Sequence, residues 1–248
     1  MCETCGCGDP ELVPVEVHED ILAGNNRTAA HNRSHFRSQS LVTINLMGSP
    51  GSGKTALLET TARNLDRPGT IGALSGDLAT DLDAARLRDA GIRAAAITTG
   101  SACHLDAEMV HHALHEFDTA SLEYLFIENV GNLVCPAVYD LGQEVNVVAL
   151  SVTEGEDKPL KYPVMFRKAD LVLLTKTDLL AHLPEVSLDR IEESLAQVMP
   201  QPRVFSLSAR TGEGFEPWLS WLAALPRGAD ATNAASIATA ARPQEVRA

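Results

Sequence analysis

From Leu41 onward the chain alternates short, nearly unbroken apolar runs with longer segments in which apolar residues recur every three or four positions. The runs are LVTINLM (41–47), TIGALS (70–75), IRAAAIT (92–98), YLFIEN (124–129), VNVVALSV (145–152), DLVLLT (170–175) and RVFSLS (203–208). Runs this short and this apolar fit strands buried on both faces, as in a parallel sheet. DLDAARLRDAG, DAEMVHHALHEFD and SLDRIEESLAQVM lie among them with a helical period. Regular alternation of strand and helix predicts a doubly wound α/β domain over 41–225, a mostly parallel sheet flanked by helices. Residues 1–40 are polar and lack a sustained period, so an irregular arm is expected there, with some helical capacity within 15–35. Residues 226–248 are rich in Ala, Thr and Ser and poor in large apolar residues; a tail without fixed structure is expected.

The first buried run ends directly in GSPGSGKT, Gly48 to Thr55, which matches G-x-x-x-x-G-K-[ST] between a strand and the helical TALLETTARNL. Glycines at this spacing let backbone N–H groups wrap phosphate oxygens. The pattern assigns Gly48, Ser49, Gly51, Ser52 and Gly53 to a phosphate cradle, Lys54 to the β/γ oxygens and the Thr55 hydroxyl to Mg²⁺. Two acids stand where later runs end, Asp77 after TIGALSG and Glu128 after YLFI. A carboxylate there can hold Mg²⁺ or its waters. Lys54, Asp77 and Glu128 are therefore the candidate catalytic residues, and Thr55, Asp77 and Glu128 the candidate Mg²⁺ ligands. Asp77 also suits a helix cap before LATDLDAARL. ENVGN (128–132) reads as a switch, an acid followed by Gly131, whose N–H can sense a γ-phosphate.

TKTD (175–178) resembles the N-K-x-D guanine element of GTPases, with Thr175 where that element has Asn. The Asp178 carboxylate can accept both N1–H and N2–H of guanine, a donor pair that adenine lacks. Lys176 would lay its stem over the base. SLSARTGEG (206–214) resembles the S-A-K element, which makes Ser208 and Ala209 base-site candidates through the Ala209 N–H.

Five cysteines fall in two groups. Cys2, Cys5 and Cys7 form CETCGC; Cys103 stands beside His104 after the third run, and Cys135 follows the fourth. Thiolate and imidazole prefer Ni²⁺ or Zn²⁺ to Mg²⁺. An odd number of cysteines argues against a disulfide framework. The terminal thiols suit Ni²⁺, and Zn²⁺ as well; a redox pair is the competing reading of C-x-x-C. Loops after parallel strands share one edge of the sheet, so Cys103, His104 and Cys135 are expected near the phosphate site.

A formal charge of −13 disfavours nucleic acid and anionic membranes as partners. No stretch reaches the roughly 18 apolar residues of a membrane span. The acidic, Cys-rich start lacks a signal peptide's basic and apolar regions, and a cytoplasmic location is expected.

Taken together, CETCGC, GSPGSGKT, SGDLATDLDAARL, CHLDAEMV, ENVGNLVCPA, EGEDKPLKYP and TKTD resemble the HypB family of hydrogenase-maturation GTPases, SIMIBI-class P-loop proteins, over residues 1 to about 225. The resemblance implies GTP hydrolysis to GDP and phosphate, and a homodimer that depends on nucleotide or metal. It implies a Ni²⁺ site at Cys2, Cys5 and Cys7, and a second Zn²⁺ or Ni²⁺ site at Cys103, His104 and Cys135 near the dimer interface. It implies hydrogenase-maturation partners and the hydrogenase large subunit as client. Family members often carry a His-rich tract after the first motif; here His18, His31 and His35 are scattered. A γ-phosphate that orders ENVGN would move Cys135, so metal and nucleotide should be coupled. The run GEDKPLKYP (155–163) suits contact with a partner subunit or nucleotide and a solvated loop equally. The alternative readings are a P-loop kinase or simple NTPase with incidental cysteines, and a zinc-binding interaction module.

Overall fold

The computed structural model describes residues 15–65, 67 and 69–227, with side chains from Leu22 onward. Cys2, Cys5 and Cys7, the first fourteen residues of the expected arm, and the tail from 228 on lie outside the described residues. Seven strands occur among the described residues, each inside a run anticipated from the sequence or within two residues of it. They are β1 (Val42–Met47), β2 (Ile71–Asp77), β3 (Arg93–Thr98), β4 (Tyr124–Glu128), β5 (Val145–Ser151), β6 (Leu171–Thr175) and β7 (Val204–Ser206). Their order is β3-β2-β4-β1-β5-β6-β7, and every pairing is parallel. The helices are α1 (Val15–Ser38), α2 (Lys54–Asn64), α3 (Leu82–Asp89), α4 (Ala107–Glu116), α5 (Lys158–Lys161), α6 (Pro163–Lys168), α7 (Leu188–Val198) and α8 (Phe215–Ala223).

Strand alternation divides the core between the two faces of the sheet. Tyr124 and Phe126 of β4 pack with Leu57 of α2, Leu87 of α3 and Trp218 of α8. Their neighbours Leu125 and Ile127 pack on the other face with Phe36 of α1 and Val110 of α4. Toward the far edge, Val172 and Leu174 of β6 meet Phe166 of α6 and Leu195 of α7. Both faces are covered, which is why the strands read as unbroken apolar runs. β3 departs from that reading. It closes one edge, and its Arg93 and Thr98 are exposed with Ala94 to Ala96 half-buried.

The expectation of an irregular arm is corrected over residues 15–38, which form one long helix. Ala29, Asn32 and Phe36 are buried on its inner face. Asn32 donates to the carbonyls of Ala107 (2.8 Å) and Leu141 (3.2 Å), and Arg33 pairs with both Asp140 oxygens at 2.7 Å. Burial of Phe36 alone contributes about 1.5–3 kcal/mol. After α8 the chain is held by Arg227, which donates to the Tyr124 hydroxyl and pairs with Glu123, each at 2.7 Å.

The strand order reverses around β1 and β4. Connections from β1 run to one side of the sheet and those from β4 to the other, which opens a crevice beyond their carboxyl ends. The loops after β1, β2 and β4 all end at that crevice.

Candidate functional site

β1 ends at Met47, and the chain turns through Gly48–Gly53 into α2. A side chain at Gly48 would run into the carbonyl oxygen of Ala149 on β5, so the loop can lie this close to the sheet only with glycine there. Gly53, at φ 94°, is left-handed and starts the helix with no side-chain cap and no acid in the first turn. The first N–H groups of α2 therefore have no acceptor from a capping side chain, the usual arrangement for receiving an anion. The Lys54 ammonium is buried and donates to the carbonyls of Gly48 (3.3 Å) and Ser49 (3.2 Å). Ser52 is fully buried, and its hydroxyl has no hydrogen-bond partner among the described residues. A cavity of about 540 Å³ opens over this loop, with Asp77, Asp83, Glu128 and Gly131 on its walls.

The Thr55 hydroxyl lies 2.8 Å from Glu128 Oε1 and 3.1 Å from Asp83 Oδ1. Glu128 is buried at the end of β4 and also accepts from Ser75 on β2 (3.3 Å). Burial pushes its carboxyl above the usual carboxylate range, against the attraction of Lys54. Burial likewise pulls the Lys54 ammonium down, opposed first by Glu128 and then by Asp83 and Glu154. Asp77 lines the same cavity, but its Oδ1 accepts from the N–H groups of Ala79 (2.9 Å) and Thr80 (3.0 Å), which hold its carboxyl below the usual range. Asp77 does not cap α3; Asp81 occupies that position. The carboxylate that joins Glu128 at Thr55 is Asp83, which sequence reasoning did not single out. Ser49 donates to Glu154, whose other oxygen accepts from the Ser151 N–H in a capping box (2.9 Å). Glu154 too was missed. The segment after it forms α5 and α6, with Glu156 tied to Ser187 N–H at 2.6 Å.

A second cavity, about 290 Å³, adjoins the first through Gly53, Ala56 and Lys176. Asp178, Leu179, Leu207 and Ala209 line it. Ser208 donates to Asp178 at 2.6 Å and accepts from the Arg210 and Thr211 N–H groups, which fixes the carboxylate. Lys176 is left-handed at φ 61°, and its stem runs beside Gly53, between the two cavities. Thr175, where Asn was the usual residue, donates to the Ser52 carbonyl at 2.6 Å and so braces the phosphate loop from below.

The loops after β3 and β4 bring Cys103, His104 and Cys135 together, with one ligand atom from each within 4.8 Å of the others. The two thiols are 3.1 Å apart, and Cys103 Sγ is 4.0 Å from His104 Nδ1. His104 is stacked on Tyr139 at 3.9 Å. Burial lowers the His104 pKa, so the ring stays neutral and available as a ligand. The segment 128–132 joins this cluster to the phosphate loop. Gly131 packs directly on Pro50, Asn132 makes a bridge with Gly48, and Asn129 accepts from the Leu105 N–H at 3.1 Å. Asn132 also donates to the Cys103 carbonyl at 3.2 Å.

Residues 42–206 match the profile of the CobW/HypB/UreG nucleotide-binding domain. The chain is 52% identical over 208 residues to the hydrogenase maturation factor HypB of Azotobacter vinelandii, covering 84% of this chain and 68% of that protein. The chain belongs to the HypB family of hydrogenase maturation factors. Two solved HypB structures agree with the fold. The Helicobacter pylori protein, crystallised in complex with nickel, superposes with a TM-score of 0.76 at 39% identity over 81% of this chain and 94% of that one. The Archaeoglobus fulgidus protein gives a TM-score of 0.75 at 40% identity over 82% and 98%. The residues matched by the CobW/HypB/UreG profile, 42–206, include the phosphate loop, all three metal-type residues of the second cluster, and Asp178.

Asp83, Glu154, Asn129 and Asn132 are the site residues that motif reading passed over. Asp83 is one of three acids in DLATDLD, and only the helix phase of α3 selects it. The two asparagines flank Gly131, but nothing in the sequence shows what their amides reach.

Proposed function

We propose that this chain is a GTP-hydrolysing nickel carrier in which nucleotide state governs a metal site. The observation that carries the proposal is the 128–132 segment. One side of it touches the phosphate loop, and the other hydrogen-bonds to both Leu105 and Cys103. A phosphate that shifts Gly131 must also shift the backbone beside the thiols.

Guanine would meet Asp178 through N1–H and N2–H, the Ala209 N–H through O6, and the Lys176 stem across its face. The β- and γ-phosphates would draw Lys54 off the loop carbonyls and satisfy the orphaned Ser52 hydroxyl. The Thr55 hydroxyl with the Asp83 and Glu128 carboxylates is an all-oxygen set, which fits Mg²⁺. When bound, that ion offsets charge on the transferring phosphoryl group. Glu128 and Asp77 are assigned to positioning the ion's waters and the attacking water, and Lys54 to the charge that develops on phosphate oxygen. Water attacks the γ-phosphorus, and GDP and phosphate leave.

Nickel is the cargo. Two thiolates and a neutral imidazole suit Ni²⁺ or Zn²⁺, and leave further positions for water or a second subunit. Exposed Val134 and Val138 flank Cys135, which supports a homodimer contact beside the metal. Cys2, Cys5 and Cys7 serve as the loading end, ahead of the nucleotide unit of 41–225. The client is a hydrogenase large subunit, reached with other maturation proteins in the cytoplasm. The relative crystallised with nickel supports the choice of ion. No helix among the described residues is long and apolar enough to cross a membrane.

Hydrolysis of GTP against ATP, with Ni²⁺ binding by wild type and by the Cys2→Ala/Cys5→Ala/Cys7→Ala chain, tests the assignment. Preference for GTP and weakened Ni²⁺ binding in the variant are expected. Equal use of ATP, or unchanged nickel affinity, would overturn it.

A further inference from the structure

The histidines that looked scattered in the sequence are gathered by the fold. His31 and His35 stand one turn apart on α1, and His111 and His115 one turn apart on α4. Two such pairs on packed helices are the arrangement from which interhelical metal sites are built. The His31 and His111 ring centres are 5.1 Å apart, and those of His111 and His115 4.7 Å. Two imidazoles on one tetrahedral ion, with metal–nitrogen distances of about 2.1 Å, have ring centres about 5 Å apart. A small cavity of about 120 Å³ lies between the four rings, with Asn32 and Leu114 completing its wall.

We propose that His31, His111 and His115, with His35 as fourth donor, form a nitrogen-only site for a divalent transition ion, Ni²⁺ or Zn²⁺, between α1 and α4. It shares no residue with the thiol cluster, and it goes beyond the nucleotide-switch reading without depending on it.

The hydrogen bonds fix which nitrogen is offered. Both N–H bonds of the buried Asn32 amide are used, toward the Ala107 and Leu141 carbonyls. Its oxygen can therefore only accept, and it lies 3.2 Å from His111 Nδ1. His111 must carry its proton on Nδ1, which leaves the Nε2 lone pair free to bind metal. An amide that holds a ligating histidine this way sets the tautomer and raises the basicity of the ring. His111 Nε2 lies 3.3 Å from His115 Nε2, so in the metal-free chain His115 donates across that gap. On metal binding His115 moves its proton to Nδ1, and both Nε2 lone pairs turn to the ion. Among the described residues no carboxylate lines the cavity, which disfavours Mg²⁺ and Ca²⁺.

The test removes the competing thiols and counts metal. The full chain carrying Cys2→Ala, Cys5→Ala, Cys7→Ala, Cys103→Ala and Cys135→Ala is dialysed against Ni²⁺ alone. One retained equivalent per chain is expected, weakened at least about tenfold by adding His111→Ala and His115→Ala. No retained equivalent, or one indifferent to the histidine substitutions, overturns the site. Because five substitutions can harm folding, the unsubstituted full chain is also titrated with Zn²⁺ and its imidazole ¹⁵N resonances followed. Coordination shifts at Nε2 of His31, His111 and His115, with Nδ1 of His111 still protonated, are expected. A response confined to His104 would mean that the four rings merely pack between the helices.

Discussion

Substituting Asn132 with Ala probes the link between nucleotide and metal at one bond. Its Nδ2 donates to the Cys103 carbonyl at 3.2 Å, and its Oδ1 accepts from the Val134 N–H at 2.9 Å. The first bond crosses from segment 128–132 to the loop that carries Cys103; the second stays within the loop that follows β4. The parallel link is Asn129, which accepts from the Leu105 N–H. A hydrogen bond of this kind contributes about 1 kcal/mol net. Two crossing bonds therefore set a coupling of about 2 kcal/mol, or a ratio of roughly 30 in Ni²⁺ affinity between nucleotide states. Asn132→Ala removes one and should reduce the ratio to about five. The assay is competition for Ni²⁺ with a chromophoric chelator, with GDP or a non-hydrolysable GTP analogue bound. Cys2, Cys5, Cys7, His111 and His115 are changed to Ala so that only the second cluster reports. Denaturant unfolding, expected to show a loss of about 1–2 kcal/mol, checks that the variant folds. A ratio near one in the parent chain, or a ratio that Asn132→Ala leaves unchanged, would refute the reasoning.

Other outcomes follow from single contacts. Phe36→Ala should cost about 3–5 kcal/mol in urea unfolding, because α1 is part of the packed body; no measurable loss would mean that the helix is not docked in solution. Asp178→Asn replaces an acceptor by an amide that must present a donor to guanine, and should weaken GTP binding by roughly 10- to 150-fold, measured by titration calorimetry. Burial holds the folded-state pKa of His104 below its unfolded value, so the unfolded chain binds the extra proton first. Metal-free protein should thus lose stability as pH falls through about 6.5, and His104→Gln should flatten that loss while the part due to His111 remains; urea midpoints at pH 5.5 and 7.5 measure it.

The strands were legible because both faces of the sheet are covered, so their sequences carry no polar alternation to confuse the reading. β3 shows the limit. RAAAIT reads like its neighbours, but edge and centre differ only in what lies beside them. α1 was misread because one of its inward residues is Asn32, a polar side chain satisfied by carbonyls more than 70 positions away. That Lys54 and Thr55 meet at one cavity and Asp178 lines the adjoining one was legible, because G-x-x-x-x-G-K-[ST] and TKTD both follow buried strands at the same edge of the sheet. Asp83 was not, because Asp77, Asp81 and Asp83 lie within seven residues and only the start of α3 chooses among them. The histidine cluster was beyond reach of the sequence, since α1 and α4 meet only in the folded chain.

Reciprocity offers the most direct test of the nucleotide–metal switch. If nucleotide changes Ni²⁺ affinity at Cys103, His104 and Cys135, then Ni²⁺ must change the ratio of GTP-analogue to GDP affinity by the same factor. Nucleotide titrations of the Cys2→Ala/Cys5→Ala/Cys7→Ala chain with and without one equivalent of Ni²⁺ measure it. The account predicts a shift in that ratio that disappears when Cys103 and Cys135 are also replaced by Ala. An unshifted ratio, or a shift that survives the loss of both thiols, would contradict it.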